Sequence, residues 1–263
     1  MTDRLATEEP PRFAAERQQR IADTLREKGR VEVAQLASEY GVSEDTVRRD
    51  LRQLAARGLV QKTHGGAVAL NATLLPTVQR AGVLTGAKRA IARAAARLVQ
   101  PDQTLFIDGG TTTLALVDEL KRADAPRPLT LVTHSLDVAL AVAEEPRIRL
   151  VMAGGSWLPA PRIFVGDAAL ATLRAHRADI AFLGACALHP RAGLTAHDPQ
   201  EAALKRAMVD GAAQRVLLTD ATKLDAVAPC AVAGLDELDR VISDAAPAWL
   251  HGRVEVERVR GEG

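Results

Sequence analysis

Short apolar runs alternate with helix-length segments from about residue 86 onward. A basic-faced helix is predicted at 86–99. The apolar runs then span 104–108, 129–133, 148–153, 179–184, 215–220 and 240–243, and the helical segments span 112–122, 135–144, 167–176 and 200–213. Runs that are apolar throughout, separated by helices of about ten residues, are typical of parallel strands covered on both faces. The pattern therefore predicts an α/β fold with a mostly parallel sheet over residues 86–263.

The charge balance limits what the surface as a whole can bind. The 263 residues carry 34 Lys and Arg against 33 Asp and Glu, a formal net charge of +1. This excludes a generally basic coat, and with it an architectural protein that covers DNA, so any nucleic-acid site must be a local patch. The two cysteines, Cys186 and Cys230, are too few for a disulfide framework or a structural zinc site.

Targeting and membrane signals are absent from the sequence. No stretch reaches the roughly 18 uninterrupted apolar residues of a membrane-spanning helix. Residues 1–20 are charged and lack the apolar core of a signal peptide. We therefore expect a cytoplasmic protein without a membrane partner, and we predict no metal or other cofactor.

Residues 13–68 have the spacing of a small helical domain. Before them, residues 1–12 predict a disordered arm, and after them residues 69–85 predict a linker. Within the domain, Gly41 allows a tight turn between two helices, and Ser43 can cap the second one. A helix, a glycine turn and a second helix are typical of a helix-turn-helix. The extended segment and glycine turn that follow predict a wing.

The second helix of such a motif enters the major groove of DNA by its N-terminal end. From residue 43 to residue 66 the sequence has five basic and three acidic side chains, a local charge of +2 that favours specific contacts over broad attraction. Arg48 and Arg49 can equally form a solvated face or pair at short range with an acid such as Asp50. The exposed candidates are Ser43, Glu44, Thr46, Arg48, Arg49 and Arg52.

A glycine turn leads from the first apolar run into a helix. Its residues are Asp108, Gly109, Gly110, Thr111, Thr112 and Thr113. Backbone N–H groups at a helix N-terminus attract anions, threonine hydroxyls add donors, and glycine allows close approach of a ligand. The pattern fits either a phosphate site or an ordinary capped helix. It is neither a Walker loop nor a dinucleotide-binding fingerprint, because the required Gly-Lys pair and third glycine are missing.

Three more polar or glycine clusters follow predicted strands, at residues 133–135, 154–155 and 220–223. In an open α/β sheet, ligands bind beyond the carboxyl ends of the strands. The clusters therefore predict one site at this edge of the sheet, although each of them also fits an ordinary capped loop.

Two motifs within residues 13–68 form a specific pattern. They are Val42-Ser43-Glu44-Asp45-Thr46-Val47-Arg48-Arg49-Asp50-Leu51 with Leu54, and His64-Gly65-Gly66-Ala67. With them the chain resembles the DeoR family of bacterial transcriptional regulators. The resemblance implies a winged helix in which Ser43, Thr46, Arg48 and Arg49 face DNA. It also implies a wing near phosphate, formed by Lys62, His64 and Gly65. Lys62 stands where most members have Arg, so it would bind phosphate as a point charge.

The resemblance extends over the second domain. It rests on Lys88 with Ile91-Ala92, Asp108 to Thr112, Gly193-Leu194-Thr195, Glu201 with Lys205, and Asp220 to Lys223. It implies a Rossmann-like sensor domain with the fold of ribose-5-phosphate isomerase. Lys88, Thr111, Thr112 and Thr113 would then hold a phosphate, and Asp108, Glu201 and Lys223 would face a sugar or polyol. The remaining site candidates are Gly110, His134, Gly154 and Gly155.

His134 departs from the family pattern, which has Asn at this position. An amide offers both a donor and an acceptor, whereas imidazole is larger and titrates near neutral pH. We therefore expect that the polar end of the effector differs, or that the site is sensitive to pH.

The enzymatic alternative is a sugar-phosphate isomerase fused to a DNA-binding head. Isomerisation needs a base beside the carbon that loses its proton. Where such isomerases have Gly-Ala-Asp-Glu, this chain reads Gly184-Ala185-Cys186-Ala187, so both carboxylates are missing. Glu201 remains as a lone candidate base, and Cys186 has no evident base beside it. We therefore predict that the protein is not an enzyme.

These observations together predict a sequence-specific transcriptional repressor of a sugar or polyol catabolic operon. Its partners would be double-stranded operator DNA and a phosphorylated sugar or polyol effector, with glycerol 3-phosphate as one candidate. We expect a homodimer or homotetramer, because paired half-sites multiply the modest affinity of a single head.

Overall fold

The computed structural model describes residues 13–28, 30–56, 60–62, 65–69, 85–122, 125 and 128–260. The chain forms two compact units, Met1–Ala72 with Gly82–Leu84, and Thr73–Ala81 with Thr85–Gly263. We call the first the head and the second the body. The predicted arm lies outside the described residues, as does the predicted linker apart from its two end residues.

Within its described residues, the head contains three helices and a small antiparallel sheet. Its elements are α1 (Ala14–Lys28), β1 (Arg30–Glu32), α2 (Val33–Tyr40), α3 (Glu44–Ala56), β2 (Val60–Lys62) and β3 (Gly66–Ala69). The strands lie in the order β1-β3-β2, so the wing β2–β3 pairs with β1, a strand that we did not predict. A Cβ atom at Gly66 would lie 1.9 Å from the carbonyl oxygen of Val31, so only glycine lets these strands pair so closely.

The helical spacing of the head produces one apolar core. Gly41 ends α2 with a φ of +64° and donates its N–H to the carbonyl of Ala37, which is the tight turn expected from the sequence. α3 then starts at a new angle and turns its apolar side inward. The buried side chains of the three helices include Ile21, Leu25, Leu36, Val47, Leu51 and Leu54.

A buried ion pair joins α1 to α3. The Asp50 carboxylate accepts hydrogen bonds from Arg17 Nε at 2.5 Å and from Gln18 Nε2 at 2.9 Å. The side chains of Arg17 and Asp50 are only 9% and 4% exposed. The alternative in which Arg48 or Arg49 pairs with Asp50 is therefore wrong, because Asp50 lies on the inner side of α3.

We expect Asp50→Ala to destabilise the head by about 3–5 kcal/mol, because it leaves the Arg17 guanidinium buried without its carboxylate. Hydrogen exchange of the amides in α1 and α3 measures this loss locally. Asp45→Ala removes an exposed carboxylate from the same helix and should cost less than about 1 kcal/mol. Equal loss of protection in the two variants would contradict the anchoring role of Asp50.

The body is built on a seven-stranded sheet. Its helices are α4 (Thr85–Ala96), α5 (Thr111–Leu120), α6 (Leu136–Val142), α7 (Asp167–Arg174) and α8 (Pro199–Gly211). The strands of the large sheet are β4 (Thr104–Ile107), β5 (Leu129–Thr133), β6 (Ile148–Met152), β9 (Ala178–Gly184), β12 (Ala212–Thr219), β14 (Arg240–Ser243) and β15 (Glu255–Arg258). Two smaller sheets consist of β7 (Ser156–Leu158) with β8 (Ile163–Val165), and of β10 (Ala187–His189), β11 (Gly193–Ala196) and β13 (Cys230–Ala233).

All neighbouring strands of the large sheet are parallel, in the order β15-β14-β12-β9-β4-β5-β6. Apolar side chains cover both faces: Leu105 and Ile107 of β4 belong to one buried cluster, and Phe106 belongs to another. From β4 the chain adds β5 and β6 on one side of the sheet, and β9, β12, β14 and β15 are then added on the other side. Ligands bind at such a switch point, here between β4 and β9, in sheets of this type. The predicted α/β fold with a mostly parallel sheet is thus confirmed.

The short antiparallel elements were not predicted. The β7–β8 hairpin is held at residues 134–136, where Phe164 donates its N–H to the His134 carbonyl at 2.8 Å and Leu136 donates its N–H to Arg162 at 3.2 Å. On the hairpin, the rings of Trp157 and Phe164 pair across the strands at 5.2 Å. The hairpin therefore lies directly beside the end of β5.

Candidate DNA-binding and effector sites

Ser43 caps α3 at the end that was predicted to enter the major groove. Its Oγ accepts a hydrogen bond from the Thr46 backbone N–H at 3.2 Å and lies 2.9 Å from the Thr46 hydroxyl. Ser43 is exposed and Thr46 is half-buried. The two hydroxyls therefore sit together in the first turn of the helix.

The exposed arginines of α3 form ion pairs with the acidic residues of its first turn. Arg48 pairs with Glu44 at 2.6 Å, and Arg49 and Arg52 lie 3.3 Å and 3.7 Å from the Asp45 carboxylate. All three arginine side chains are more than half exposed, so these pairs are weak and can exchange for DNA phosphates. Short-range pairing of Arg48 and Arg49 with acids, one of the alternatives that the sequence left open, is thus present, with Glu44 and Asp45 as the partners in place of Asp50.

The wing is described only in part. Gly65 is exposed before β3, and Lys62 ends β2, but the Lys62 side chain and His64 lie outside the described residues. Their contact with phosphate stays a prediction.

In the body, the glycine turn connects β4 to the N-terminus of α5. Gly110 has a φ of +138°, which favours glycine, and Thr111 and Thr112 are half-buried. Thr113 is fully buried, and its hydroxyl donates to the Gly110 carbonyl at 2.9 Å. The structure thus leaves Thr111 and Thr112 at the accessible side of the turn, while Thr113 shapes the turn from inside.

Asp108 is the centre of a buried network. One carboxylate oxygen accepts the Gly109 N–H at 2.8 Å, and the other accepts the Gly184 N–H at 2.8 Å and the Lys205 ammonium. Asp108 and Lys205 are each 1% exposed. The network therefore joins the ends of β4 and β9 to α8.

Lys205 was part of the sequence motif, but we did not assign it to the site. Its ammonium also donates to the Gly184 carbonyl at 3.0 Å and lies 3.4 Å from Glu201. Burial alone would lower the pKa of Lys205, but Asp108 and Glu201 raise it above its ordinary value. Lys205 is therefore a permanent cation. The spacing of Glu201 and Lys205, one helical turn apart, was the signal for it.

His134 lies at the end of β5, fully buried, with Nε2 3.5 Å from a carboxylate oxygen of Asp108. Burial lowers the pKa of His134; Asp108 opposes this effect and Lys205 adds to it. The imidazole is therefore neutral at pH 7. That the effector differs at its polar end, or that the site is sensitive to pH, stays a prediction.

Cys186 lies on the other side of Glu201. Its thiol donates to the Glu201 carboxylate at 3.2 Å, and burial, with Glu201 as acceptor, raises the pKa of Cys186 to about 12. The thiol is thus a proton donor in a closed network.

The other site candidates lie on separate elements of the body. Lys88 is buried in the first turn of α4, and Lys223 is buried at the end of a one-turn helix after β12. Gly154 and Gly155 are exposed after β6, and the atoms nearest to a Cβ at Gly155 belong to β8 and α7. The structure thus brings Asp108, His134 and Glu201 into one cluster, and it places the glycine pair against the hairpin.

Membrane-spanning helices and metal-binding groups are both missing from the part of the chain that the structure describes. There, no helix is both long enough and apolar enough to cross a membrane. Nor do three His, Cys, Asp or Glu side chains among these residues come together in a group that could hold a metal ion.

Curated relatives cover most of this chain. The deoxyribose operon repressor of Escherichia coli (strain K12) is 34% identical over 88% of this chain and 92% of its own. The transcriptional regulator GlpR of Haloferax volcanii is 35% identical over 88% and 89%. The glycerol-3-phosphate regulon repressor of Escherichia coli (strain K12) is 30% identical over 86% and 89%.

Similarity to solved structures is more distant. Ribose 5-phosphate isomerase A from Methanocaldococcus jannaschii covers 52% of this chain and 53% of its own, with a TM-score of 0.38 and 18% identity. Translation initiation factor eIF-2B from Pyrococcus horikoshii covers 85% and 78%, with a TM-score of 0.44 and 13% identity. At this level neither structure assigns a chemistry to this chain.

Two family models match the two parts of the protein. The DeoR-like helix-turn-helix domain matches residues 17–73, and the DeoR C-terminal sensor domain matches residues 84–245. Together with the identity to curated repressors, these matches confirm the resemblance seen in the sequence. The chain belongs to the DeoR family of DNA-binding transcriptional regulators.

Proposed function

We propose that this regulator represses an operon for the catabolism of a sugar or polyol and leaves its operator when a phosphorylated sugar or polyol binds. The names of its relatives, which refer to deoxyribose and glycerol 3-phosphate, support this class of effector. The observation that carries the proposal is the glycine turn at the N-terminus of α5, held by Asp108 where the strand order of the sheet reverses. Anions bind at such helix ends.

In this proposal α3 is the recognition helix. Ser43 and Thr46 stand at its leading end, and Arg48, Arg49 and Arg52 exchange their intrahelical acids for DNA. Arginine reads guanine with two hydrogen bonds, and the same side chain also pairs with phosphate. Lys62, His64 and Gly65 of the wing would add phosphate contacts that position the head.

The phosphate of the effector would bind to the backbone N–H groups of the turn and to Thr111 and Thr112. Lys88 and Lys223 would supply positive charge, and Asp108, His134 and Glu201 would face the sugar or polyol, with Gly154 and Gly155 at the rim. Binding would favour an arrangement of the heads that does not fit the operator. Two or four copies of the chain would act together, because paired heads bind paired half-sites.

We further propose that the sensor domain binds its ligand without converting it. The segment that supplies acids in isomerases carries a neutral thiol here, with a pKa raised by burial to about 12. Glu201, the remaining candidate base, already accepts from Cys186 and lies 3.4 Å from Lys205. These two contacts already occupy the carboxylate, which supports a role in the network over a role as a catalytic base.

The recognition-helix assignment predicts that Arg48→Ala weakens operator binding by roughly 10-fold or more for each half-site. Fluorescence anisotropy with DNA from upstream of the gene measures this change. Arg97→Ala, which removes an exposed arginine of the body, is the matched control and should bind normally. If Arg48→Ala is folded by circular dichroism and binds as tightly as the control, α3 does not read DNA.

The effector site predicts that Thr112→Val leaves operator affinity unchanged but weakens release by the effector about 5-fold to 10-fold, because one hydrogen bond to phosphate is lost. A panel of sugar phosphates and glycerol 3-phosphate, added to the protein–DNA complex, first identifies the compound that releases the wild type. Thr172→Val, at a half-buried position of α7 outside the proposed site, should respond like the wild type. Release by none of the compounds would refute the ligand class.

The burial of the Cys186 thiol predicts a specific labelling pattern. Burial raises the pKa of Cys186 to about 12, so almost all of this thiol stays protonated at pH 8. Iodoacetamide should therefore modify the partly exposed Cys230 first and reach Cys186 only in denaturant. Mass spectrometry of the wild type and of Cys230→Ser separates the two sites. Rapid labelling of Cys186 in the folded protein would contradict the closed network.

A further inference from the structure

His134 is buried without the hydrogen bonds that an imidazole requires. Its side chain is 0% exposed, and among the residues that the structure describes neither Nδ1 nor Nε2 has a hydrogen-bond partner. Native proteins rarely leave buried polar atoms unpaired, because each such atom loses its hydration without compensation. The ring is therefore set up for a partner that the neighbouring side chains do not supply.

The position of the ring connects it with the glycine turn. Nε2 lies 3.5 Å from Asp108 and 3.9 Å from the point that a Cβ atom of Gly109 would occupy. The β7–β8 hairpin packs against the same region. The Phe164 N–H donates to the His134 carbonyl, and the Ile163 side chain lies 2.6 Å from the Cβ position of Gly109. A molecule whose phosphate is bound by the turn, with its carbon chain directed toward β5, would bring that chain close to the imidazole.

The charges around the ring decide which chemical group can approach it. Asp108, Glu201 and Lys205 are the charged groups that act on His134, and together they carry a net charge of −1. A carboxylate would be repelled there, and phosphate is better placed toward Thr111 and Thr112. A hydroxyl group is neutral, and it can both donate to and accept from a neutral imidazole.

We propose that His134 binds a hydroxyl group of the effector and that it thereby selects phosphate esters of uncharged polyols and sugars over phosphorylated sugar acids. This inference rests on the proposed phosphate site at the glycine turn. It assigns the choice among phosphorylated ligands to a residue in which this chain departs from the family pattern.

The test compares ligands of equal length by isothermal titration calorimetry at pH 8. The probes are glycerol 3-phosphate, propyl phosphate, 3-phosphoglycerate, 3-aminopropyl phosphate and inorganic phosphate, with fructose 6-phosphate and 6-phosphogluconate as a longer pair. We expect the wild type to bind glycerol 3-phosphate, or in the longer pair fructose 6-phosphate, roughly 10-fold or more tightly than the compound of the same set that lacks the hydroxyl groups or carries a carboxylate.

Variants of His134 then assign this preference. His134→Asn retains a donor and an acceptor and should keep it, whereas His134→Leu should reduce it to less than about threefold while its affinity for inorganic phosphate stays unchanged. His134→Met replaces the leucine variant if that variant does not have the circular dichroism spectrum of the wild type. His251→Leu, at an exposed position, is the matched control and should behave like the wild type.

The outcomes separate the two proposals. Phosphate binding with an unchanged preference in His134→Leu, or with the acid or amine bound as tightly as the hydroxylated ligand, overturns the role of His134 alone. No binding of phosphate or of any phosphate ester overturns the phosphate site, and this inference with it.

Discussion

The ion pair between Asp108 and Lys205 holds together the part of the body on which the proposed sensing depends. Both side chains are almost completely buried, so their desolvation is costly unless further hydrogen bonds compensate it. The N–H groups of Gly109 and Gly184 and the carbonyl of Gly184 supply these bonds. The pair thereby fixes the glycine turn, the end of β9 and α8 relative to one another.

The head uses ion pairs in two different ways. The buried pair of Arg17 and Asp50 fixes the angle between α1 and α3, and it cannot exchange for another partner without unfolding. The exposed pairs of Arg48 with Glu44 and of Arg49 with Asp45 contribute little to stability. Because these pairs are weak, they can exchange for another partner, which is DNA in the proposed function. Burial thus separates the charges that build the domain from the charges that can bind.

Pattern and motif were sufficient to predict the helices of the head and the central strands of the body. Long apolar runs have only one stable place, between two layers of helices. Strands of three residues, such as β7 and β8, carry too little periodicity to predict. The surroundings of individual groups were also beyond reach: nothing near His134 in the sequence indicates that it is buried, and the partner of Asp50 lies 33 residues away. Such properties depend on tertiary contacts.

The two buried ion pairs differ in how far apart their residues lie along the chain, and this affects the order of folding during translation. Arg17 and Asp50 are 33 residues apart, whereas Asp108 and Lys205 are 97 residues apart. Domains fold as units from the N-terminus while the ribosome is still at work. The helices of the head can thus close around their core before α8 has been translated, and the glycine turn receives its support only afterwards. A nascent chain of this regulator acquires its DNA-binding domain first and its response to metabolites last.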